Sequence, residues 1–126
     1  MNTQDQTIEL KAFTVAGVKY RPGDIIDVLE TGDTIRLLAE PENQFDTFAI
    51  RVEGYFPHQD EMSDEGVIKE HWELIGYVPK KETWIYHILR KAGVKLFLKL
   101  FVNQDAPDDE KLHVKVSYQG NEENAF

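Results

Sequence analysis

The chain has 126 residues, of which 41% are hydrophobic and 11% aromatic, so it is long enough to fold around one core. Its net charge of −9 argues against a general nucleic-acid binder, because such proteins usually carry a basic field. The absence of cysteine excludes disulfides, zinc fingers and cysteine nucleophiles. We expect a cytoplasmic protein with no membrane partner, since the sequence contains neither a long apolar stretch nor a signal-peptide pattern.

The first half of the chain predicts short strands separated by turns. Residues 8–18 are rich in β-branched and aromatic side chains and predict a first strand, which the Pro-Gly turn at 20–23 ends. Residues 25–29 fit either a short strand or one helical turn. Residues 34–39 and 48–52 predict the next two strands.

The segment 53–71 has no clean hydrophobic period and is strongly acidic. Glycine and proline interrupt it at Gly54, Pro57 and Gly66. We interpret it as an acidic inserted loop between two strands, of a length that in compact domains usually indicates a functional or mobile segment.

The second half predicts one helix and three strands. Residues 72–78 predict a strand that ends at a proline, and the apolar spacing in residues 80–92 is helical. Alternation with a period of two then predicts strands at 94–102 and 112–118. Residues 119–126 are predicted to form a tail.

This order of elements predicts a mainly β fold. Short strands at such spacing are typical of a small OB-like or SH3-like β-barrel, here with about six strands and one main helix near residues 80–92. The sequence shows no internal repeat, so we expect a single domain over residues 1–126.

The charge is unevenly distributed along the chain. Acidic residues concentrate in the segment 53–74 and at the two ends, whereas residues 75–104 hold six bases and one acid. A locally basic surface on an acidic protein is therefore possible in that stretch.

No pattern in the sequence indicates catalysis or metal binding. His58 and His71 bracket a run of carboxylates, but the spacing matches neither zinc nor calcium ligation. There is no GxSxG motif and no phosphate-binding GxxxxGK[ST] loop. We therefore expect no enzyme, no catalytic residue, no metal and no cofactor.

The most informative block is EPENQFDTFAIRV, residues 40–52, followed by IGYVPK at residues 75–80. One interpretation is a turn rich in Pro, Asn and Asp, with Phe45 in the core. The other is that Phe45, flanked by Asn43 and Asp46, offers a stacking surface beside hydrogen-bonding groups. Proteins that bind single-stranded nucleic acids use this combination.

This pair of motifs resembles the HIRAN domain family, which occurs alone in bacteria and phages and fused to SWI/SNF-type helicases in eukaryotes. The resemblance extends over residues 11–118, and VAGVKY at residues 15–20 also matches the family's first strand and loop. It implies a modified OB-like barrel that binds single-stranded DNA at its 3′ end, with a role in DNA repair. A chain of this kind would act on DNA ends, with a separate helicase or nuclease as a possible partner.

The resemblance also implies a set of nucleic-acid-binding residues. Lys19 and Tyr20 match a basic and aromatic pair that holds the DNA backbone and stacks on a base. Phe45 stands where the family usually has a stacking tyrosine, and Asp46 matches the aspartate that accepts the terminal 3′-hydroxyl. Asn43 supports that loop.

Two further residues come from the IGYVPK motif. Lys80 matches a phosphate-contacting lysine, and Tyr77 stands where some members have a histidine. The sequence departs from the family pattern in having Gln44 in place of a proline, Phe48 in place of a small polar residue and a long acidic segment between the motifs.

These departures, together with the charge, keep a second function open. The alternative is a protein–protein interaction module that retains the fold but uses its acidic surface to bind a basic partner. The sequence does not predict the oligomeric state.

Overall fold

The computed structural model describes residues 5–56, 58–59, 68–69 and 71–121. Over these ranges the chain is mainly β, with seven strands in two antiparallel sheets, a separate pair of two-residue strands and one main helix. The predicted class, mainly β with one helix, is confirmed. Within the described residues the two sheets do not close into one continuous barrel.

The first sheet is built around the C-terminal strand β9 (Leu112–Asn121). β8 (Leu96–Val102) pairs with β9, and so do β1 (Asp5–Glu9) and β2 (Phe13–Thr14), which take successive parts of it. The single strand predicted over residues 8–18 is therefore two short strands. The tail predicted from residue 119 is also wrong in part, because residues 119–121 pair with β1.

The second sheet has the strand order β3-β4-β7, formed by Ile35–Ala39, Ile50–Tyr55 and Trp72–Tyr77. β4 continues through Glu53 to Tyr55, so the segment predicted as a loop from residue 53 begins as a strand. β5 (His58–Gln59) and β6 (Ile68–Lys69) pair with each other. The rest of the predicted acidic loop, residues 57, 60–67 and 70, lies outside the described residues.

The main helix α2 (Thr83–Lys91) follows a 3₁₀ turn at Lys80–Glu82, close to the predicted bounds of 80–92. Tyr86 on its inner face is buried against Phe13 of β2, with ring centroids 5.8 Å apart in an edge-to-face arrangement. The segment 25–29, which fits a short strand or one helical turn, forms the end of the one-turn helix α1 (Gly23–Ile26) and the turn that follows it. Two further 3₁₀ turns lie at Val18–Tyr20 and Asp108–Glu110.

The hydrophobic core lies between the two sheets. Alternate residues of β8 and β9 point inward, and Leu100, Leu112 and Val114 are completely buried. Val52 and Ile75 of the second sheet meet them from the other side. The alternation of apolar and polar residues with a period of two thus gives each sheet one apolar face, and these two faces pack against each other.

Gly76 allows the two sheets to approach each other. Its neighbour Tyr77 exchanges two backbone hydrogen bonds with Ala16, of 2.8 and 2.9 Å, in a bridge outside the regular strands. A Cβ atom on Gly76 would lie only 2.3 Å from Val15 Cγ1 and 2.6 Å from the Ala16 carbonyl oxygen. The glycine of the IGYVPK motif is therefore required by close backbone contact.

Candidate nucleic-acid interface

The loop from Glu40 to Ala49, which joins β3 to β4, is held by its own polar side chains. Asn43 Oδ1 accepts hydrogen bonds from the backbone N–H groups of Phe45 and Asp46, at 2.9 and 3.0 Å. Asp46 Oδ1 in turn accepts one from Phe48 N at 2.8 Å. These are Asx-type turns, which fix a loop backbone without help from a regular sheet.

Phe45 projects from this fixed loop into solvent. Its side chain is 91% exposed, so the interpretation that it belongs to the core is wrong. Because side-chain hydrogen bonds fix the loop backbone, the position from which the ring projects is set before a ligand binds, and this lowers the entropy cost of binding. The ring offers a stacking face without covering any part of the core.

Asp46 caps the turn with one carboxylate oxygen and keeps the other available. Oδ1 accepts the Phe48 N–H, and among the described residues Oδ2 has no hydrogen-bond partner. The side chain is half-buried beside Phe45. Its turn-capping role and its capacity to accept a hydrogen bond from a ligand are thus compatible.

Glu40 anchors the base of the loop and links it to the second motif. Its carboxylate accepts hydrogen bonds from Asn43 Nδ2 at 2.6 Å, Arg51 Nη1 at 2.7 Å and the Tyr77 hydroxyl at 3.0 Å. The bond from Arg51, followed by that from Asn43, lowers the pKa of Glu40 below its ordinary value. Burial, followed by the hydrogen bond to Glu40, raises the pKa of Tyr77, so its phenol remains a donor.

The network continues across the sheet from Arg51. Arg51 Nε donates to Glu53 Oε2 at 2.9 Å, and Arg36 Nη2 lies 2.8 Å from Glu53 Oε1. Glu53 is only 6% exposed, and two arginines compensate its buried charge. The Arg36 guanidinium also lies over the Trp72 ring, 4.1 Å from its centroid.

Lys19 and Tyr20 lie on the 3₁₀ turn Val18–Tyr20, and both are exposed. The Lys19 ammonium lies 5.1 Å from the Tyr20 ring centroid. Gly17, just before the turn, has a left-handed φ of +76° and approaches the Tyr77 ring. The Ala16–Tyr77 bridge therefore fixes the position of this turn relative to the IGYVPK motif.

The structure connects the predicted site residues to different degrees. Asn43, Phe45, Asp46 and Tyr77 belong to one hydrogen-bonded unit through Glu40. Lys19 and Tyr20 join it through the backbone bridge to Tyr77. Lys80 is exposed and lies three residues beyond Tyr77, but among the described residues its side chain makes no hydrogen bond to the loop.

A concave surface of the described residues lies away from this site. A groove of about 520 Å³ between β3, α2 and β8 is lined by residues that include Leu37, Tyr86, Arg90 and Leu98, and by none of the predicted site residues. In the described part of the chain no three His, Asp or Glu side chains cluster as metal ligands. No described helix is long and apolar enough to cross a membrane.

Comparison with known proteins identifies the family. The HIRAN domain model matches residues 8–119. The chain belongs to the HIRAN family. HIRAN domains are DNA-binding modules, and membership of this family of binding domains supports a nucleic-acid-binding role. No curated protein sequence matches the chain.

Two solved structures share the fold. A protein from Lactobacillus plantarum is 22% identical, with a TM-score of 0.58 over 91% of this chain and 97% of its own. The HIRAN domain of human HLTF is 16% identical, also with a TM-score of 0.58, over 94% of this chain and 83% of its own. These similarities confirm the OB-like HIRAN fold.

The charged network that supports the site is not visible in the sequence. Glu40 is part of the EPEN motif, yet nothing local indicates that its partners are Arg51 and Tyr77. One usable signal was the spacing of Arg51 and Glu53, which places two opposite charges on the same face of one strand.

Proposed function

We propose that this HIRAN domain binds single-stranded DNA and recognises the 3′-hydroxyl end at the Glu40–Ala49 loop. The observation that carries the proposal is the combination of an exposed Phe45 ring with the unpartnered Oδ2 of Asp46 on one rigid loop. A base would stack on the ring, and the terminal hydroxyl would donate to the carboxylate.

The carboxylate explains why the end of a strand is the preferred ligand. Within a strand, Asp46 would face phosphates and repel them. At a 3′ terminus no further phosphate follows, so an ionised acceptor strengthens the hydrogen bond to the hydroxyl. A bond of this kind is worth about 1.5–3 kcal/mol, enough to select an end over an internal position.

Stacking and phosphate contacts supply the remaining affinity. Bases stacked on Phe45 and Tyr20 would contribute about 1–3 kcal/mol each. Lys19 and Lys80, both exposed, would neutralise phosphates and make binding salt-dependent. Asn43 and Tyr77 act on the ligand indirectly, because their polar atoms hold the loop.

The decisive experiment compares two matched oligonucleotides that differ only in a 3′-hydroxyl or a 3′-phosphate. We expect tighter binding of the hydroxyl form by about tenfold, corresponding to ~1.4 kcal/mol, measured by fluorescence anisotropy at several salt concentrations. Equal affinity for both forms would show that Asp46 serves the turn alone.

Asp46→Asn is the matched control for Asp46→Ala. The asparagine keeps an oxygen that can accept the Phe48 N–H, and it removes only the negative charge. Both variants should lose the preference for the hydroxyl end, while Asp46→Asn keeps the loop intact. Phe45→Ala should instead weaken both oligonucleotides alike.

In this function the domain binds DNA ends in repair without catalysing a reaction itself, in the cytoplasm and together with a helicase or nuclease. The acidic surface suits the alternative function, a module that binds a basic protein. If no single strand binds at low salt, the protein-interaction function replaces the DNA-binding one.

A further inference from the structure

An exposed aromatic and basic face of α2 lies next to the Glu40–Ala49 loop. Trp84 is 61% exposed although tryptophan is among the most apolar and stackable side chains, and Ile88 beside it is also exposed. Three exposed lysines accompany this pair: Lys91 lies seven residues after Trp84 on α2, and Lys80 and Lys81 lie in the 3₁₀ turn that leads into the helix. We call these five residues the Trp84 face.

The Trp84 face is electrostatically suited to a polyanion. Glu82 is the one acidic residue between Pro79 and Gln104, and it is turned away toward Lys11, with which it forms an ion pair at 3.7 Å. The rest of this protein is strongly acidic, so a basic and aromatic face is a local exception. Basic grooves with aromatic stacking platforms are typical of single-strand binding.

Phe48 and His87 connect this face to the loop. Phe48 is 65% exposed and follows Phe45 by three residues. Its ring meets that of His87 edge-to-face at 5.9 Å, and its carbonyl oxygen lies 2.8 Å from His87 Nε2. His87 is one helical turn from Trp84, so aromatic side chains follow one another from the loop to the helix.

We propose that the Trp84 face binds the nucleotides on the 5′ side of the terminal ones, with a base stacked on Trp84 and phosphates beside the lysines. This inference rests on the proposed function and adds its footprint and direction. With the 3′ end at Asp46, the strand runs over Phe48 and His87 toward Trp84. The domain then covers more of the strand than the two 3′-terminal nucleotides whose bases stack on Phe45 and Tyr20. The length covered falls within the ~4–16 nucleotides that OB-type folds bind.

The test is a length series of oligothymidines with a 3′-hydroxyl, from three to ten nucleotides. The wild-type affinity should rise with length until the strand covers Trp84. Trp84→Ala should leave the shortest oligonucleotide unchanged and weaken the long ones by about 5- to 150-fold, the equivalent of one stacked base at ~1–3 kcal/mol. Trp84→Phe, which keeps an aromatic face, should restore most of the affinity.

A matched control isolates stacking on Trp84 from general surface effects. Phe97→Ala removes an exposed aromatic ring from β8, outside the Trp84 face. This variant should keep the wild-type length dependence. If Trp84→Ala lowered the affinity equally for oligonucleotides of every length, the proposal would be wrong, because such a result would indicate a general change in the fold or the protein surface.

An abasic-site scan gives a second readout. One abasic nucleotide is moved stepwise from the 3′ end of the oligonucleotide. At one position, removal of the base should lower the affinity as much as Trp84→Ala does. Combining that abasic position with Trp84→Ala should lower the affinity no further. Binding should also quench Trp84 fluorescence, whereas Trp72, packed against Arg36 and Tyr55, remains as background in Trp84→Phe.

Each failure has a distinct meaning. If the short oligonucleotide does not bind to wild type, the proposed function is wrong. If the short one binds and longer ones gain nothing, or Trp84 shows no quenching, the end-binding site stands and the extended footprint is wrong. The Trp84 face would then be assigned to a protein partner.

Discussion

The two sheets of this protein are constructed in different ways. The β8–β9 sheet contributes completely buried aliphatic residues, such as Leu100 and Val114, and follows a simple alternation of apolar and exposed positions. The β3-β4-β7 sheet has an equally apolar inner side at Val52, yet it also carries the charged pairs of Glu53 with Arg36 and Arg51. The first sheet therefore contributes mainly to the core, and the second also carries the charged network that supports the Glu40–Ala49 loop.

Leu100→Ala should give the largest effect and separate the two roles. Removing a completely buried leucine side chain costs about 2–5 kcal/mol of unfolding free energy, depending on the cavity that remains. Urea denaturation measures the loss. DNA affinity at a temperature where the variant remains folded should be unchanged, and a parallel loss of affinity would show that the sheets are not separable.

Gly76→Ala should affect both sheets at once. The new methyl group would overlap Val15 and the Ala16 carbonyl, and the backbone contact leaves little room for relaxation. Overpacking of this kind costs about 1–3 kcal/mol. We expect lower stability together with weaker DNA binding, because Tyr77 and the turn Val18–Tyr20 are displaced. Gly32→Ala is the control, since a Cβ there meets no atom within 4 Å and tests the left-handed backbone alone.

Glu40→Gln should act mainly on the site and should depend on pH. The hydrogen bonds to Glu40 in the folded protein lower its pKa below the ordinary value of 4.5. Their contribution to the free energy of unfolding is therefore complete above pH 4.5 and is lost as the pH falls through the lowered pKa. At pH 7 we expect a loss of about 1–2 kcal/mol, which shrinks on acidification. Urea denaturation of wild type and Glu40→Gln, from pH 7 down to the lowest pH at which both remain folded, measures this loss. A difference in stability that does not change with pH would contradict the lowered pKa of Glu40.

Tyr77→Phe should give the smallest change in stability. It removes only the hydroxyl that donates to Glu40 at 3.0 Å, the longest of three hydrogen bonds to a carboxylate that keeps its other two partners, so we expect a loss of only about 1 kcal/mol. The proposed role in holding the loop predicts a decrease in DNA affinity by anisotropy, with the 3′-hydroxyl preference retained. If affinity is unaffected, Asn43 and Arg51 suffice to fix Glu40.

The same contrast explains which parts of the fold the sequence predicts. Strict alternation in residues 94–102 and helical spacing in residues 80–92 correspond closely to β8 and α2, because burial of one face dictates both patterns. The strand predicted over residues 8–18 fails as one unit. Its two halves pair with different parts of β9, and pairing partners are a property of the tertiary fold.

The site is predictable to a smaller extent. The turn chemistry of Asn43 and Asp46 is local and visible in the sequence, since Asx side chains bond to backbone groups two or three residues away. The exposure of Phe45 is not, because an aromatic residue in a loop packs or projects according to the whole fold. Nor is the role of Gly76, which depends on Val15 and Ala16, some 60 residues earlier in the chain.

The Ala16–Tyr77 bridge also determines how the molecule opens. Its two reciprocal N–H···O bonds join the sheets beside Gly76, so we expect both amides to exchange their hydrogens slowly while the sheets remain in contact. Unfolding that separates the two sheets must break this connection. We therefore expect the Glu40–Ala49 loop and the core to unfold together in one cooperative transition.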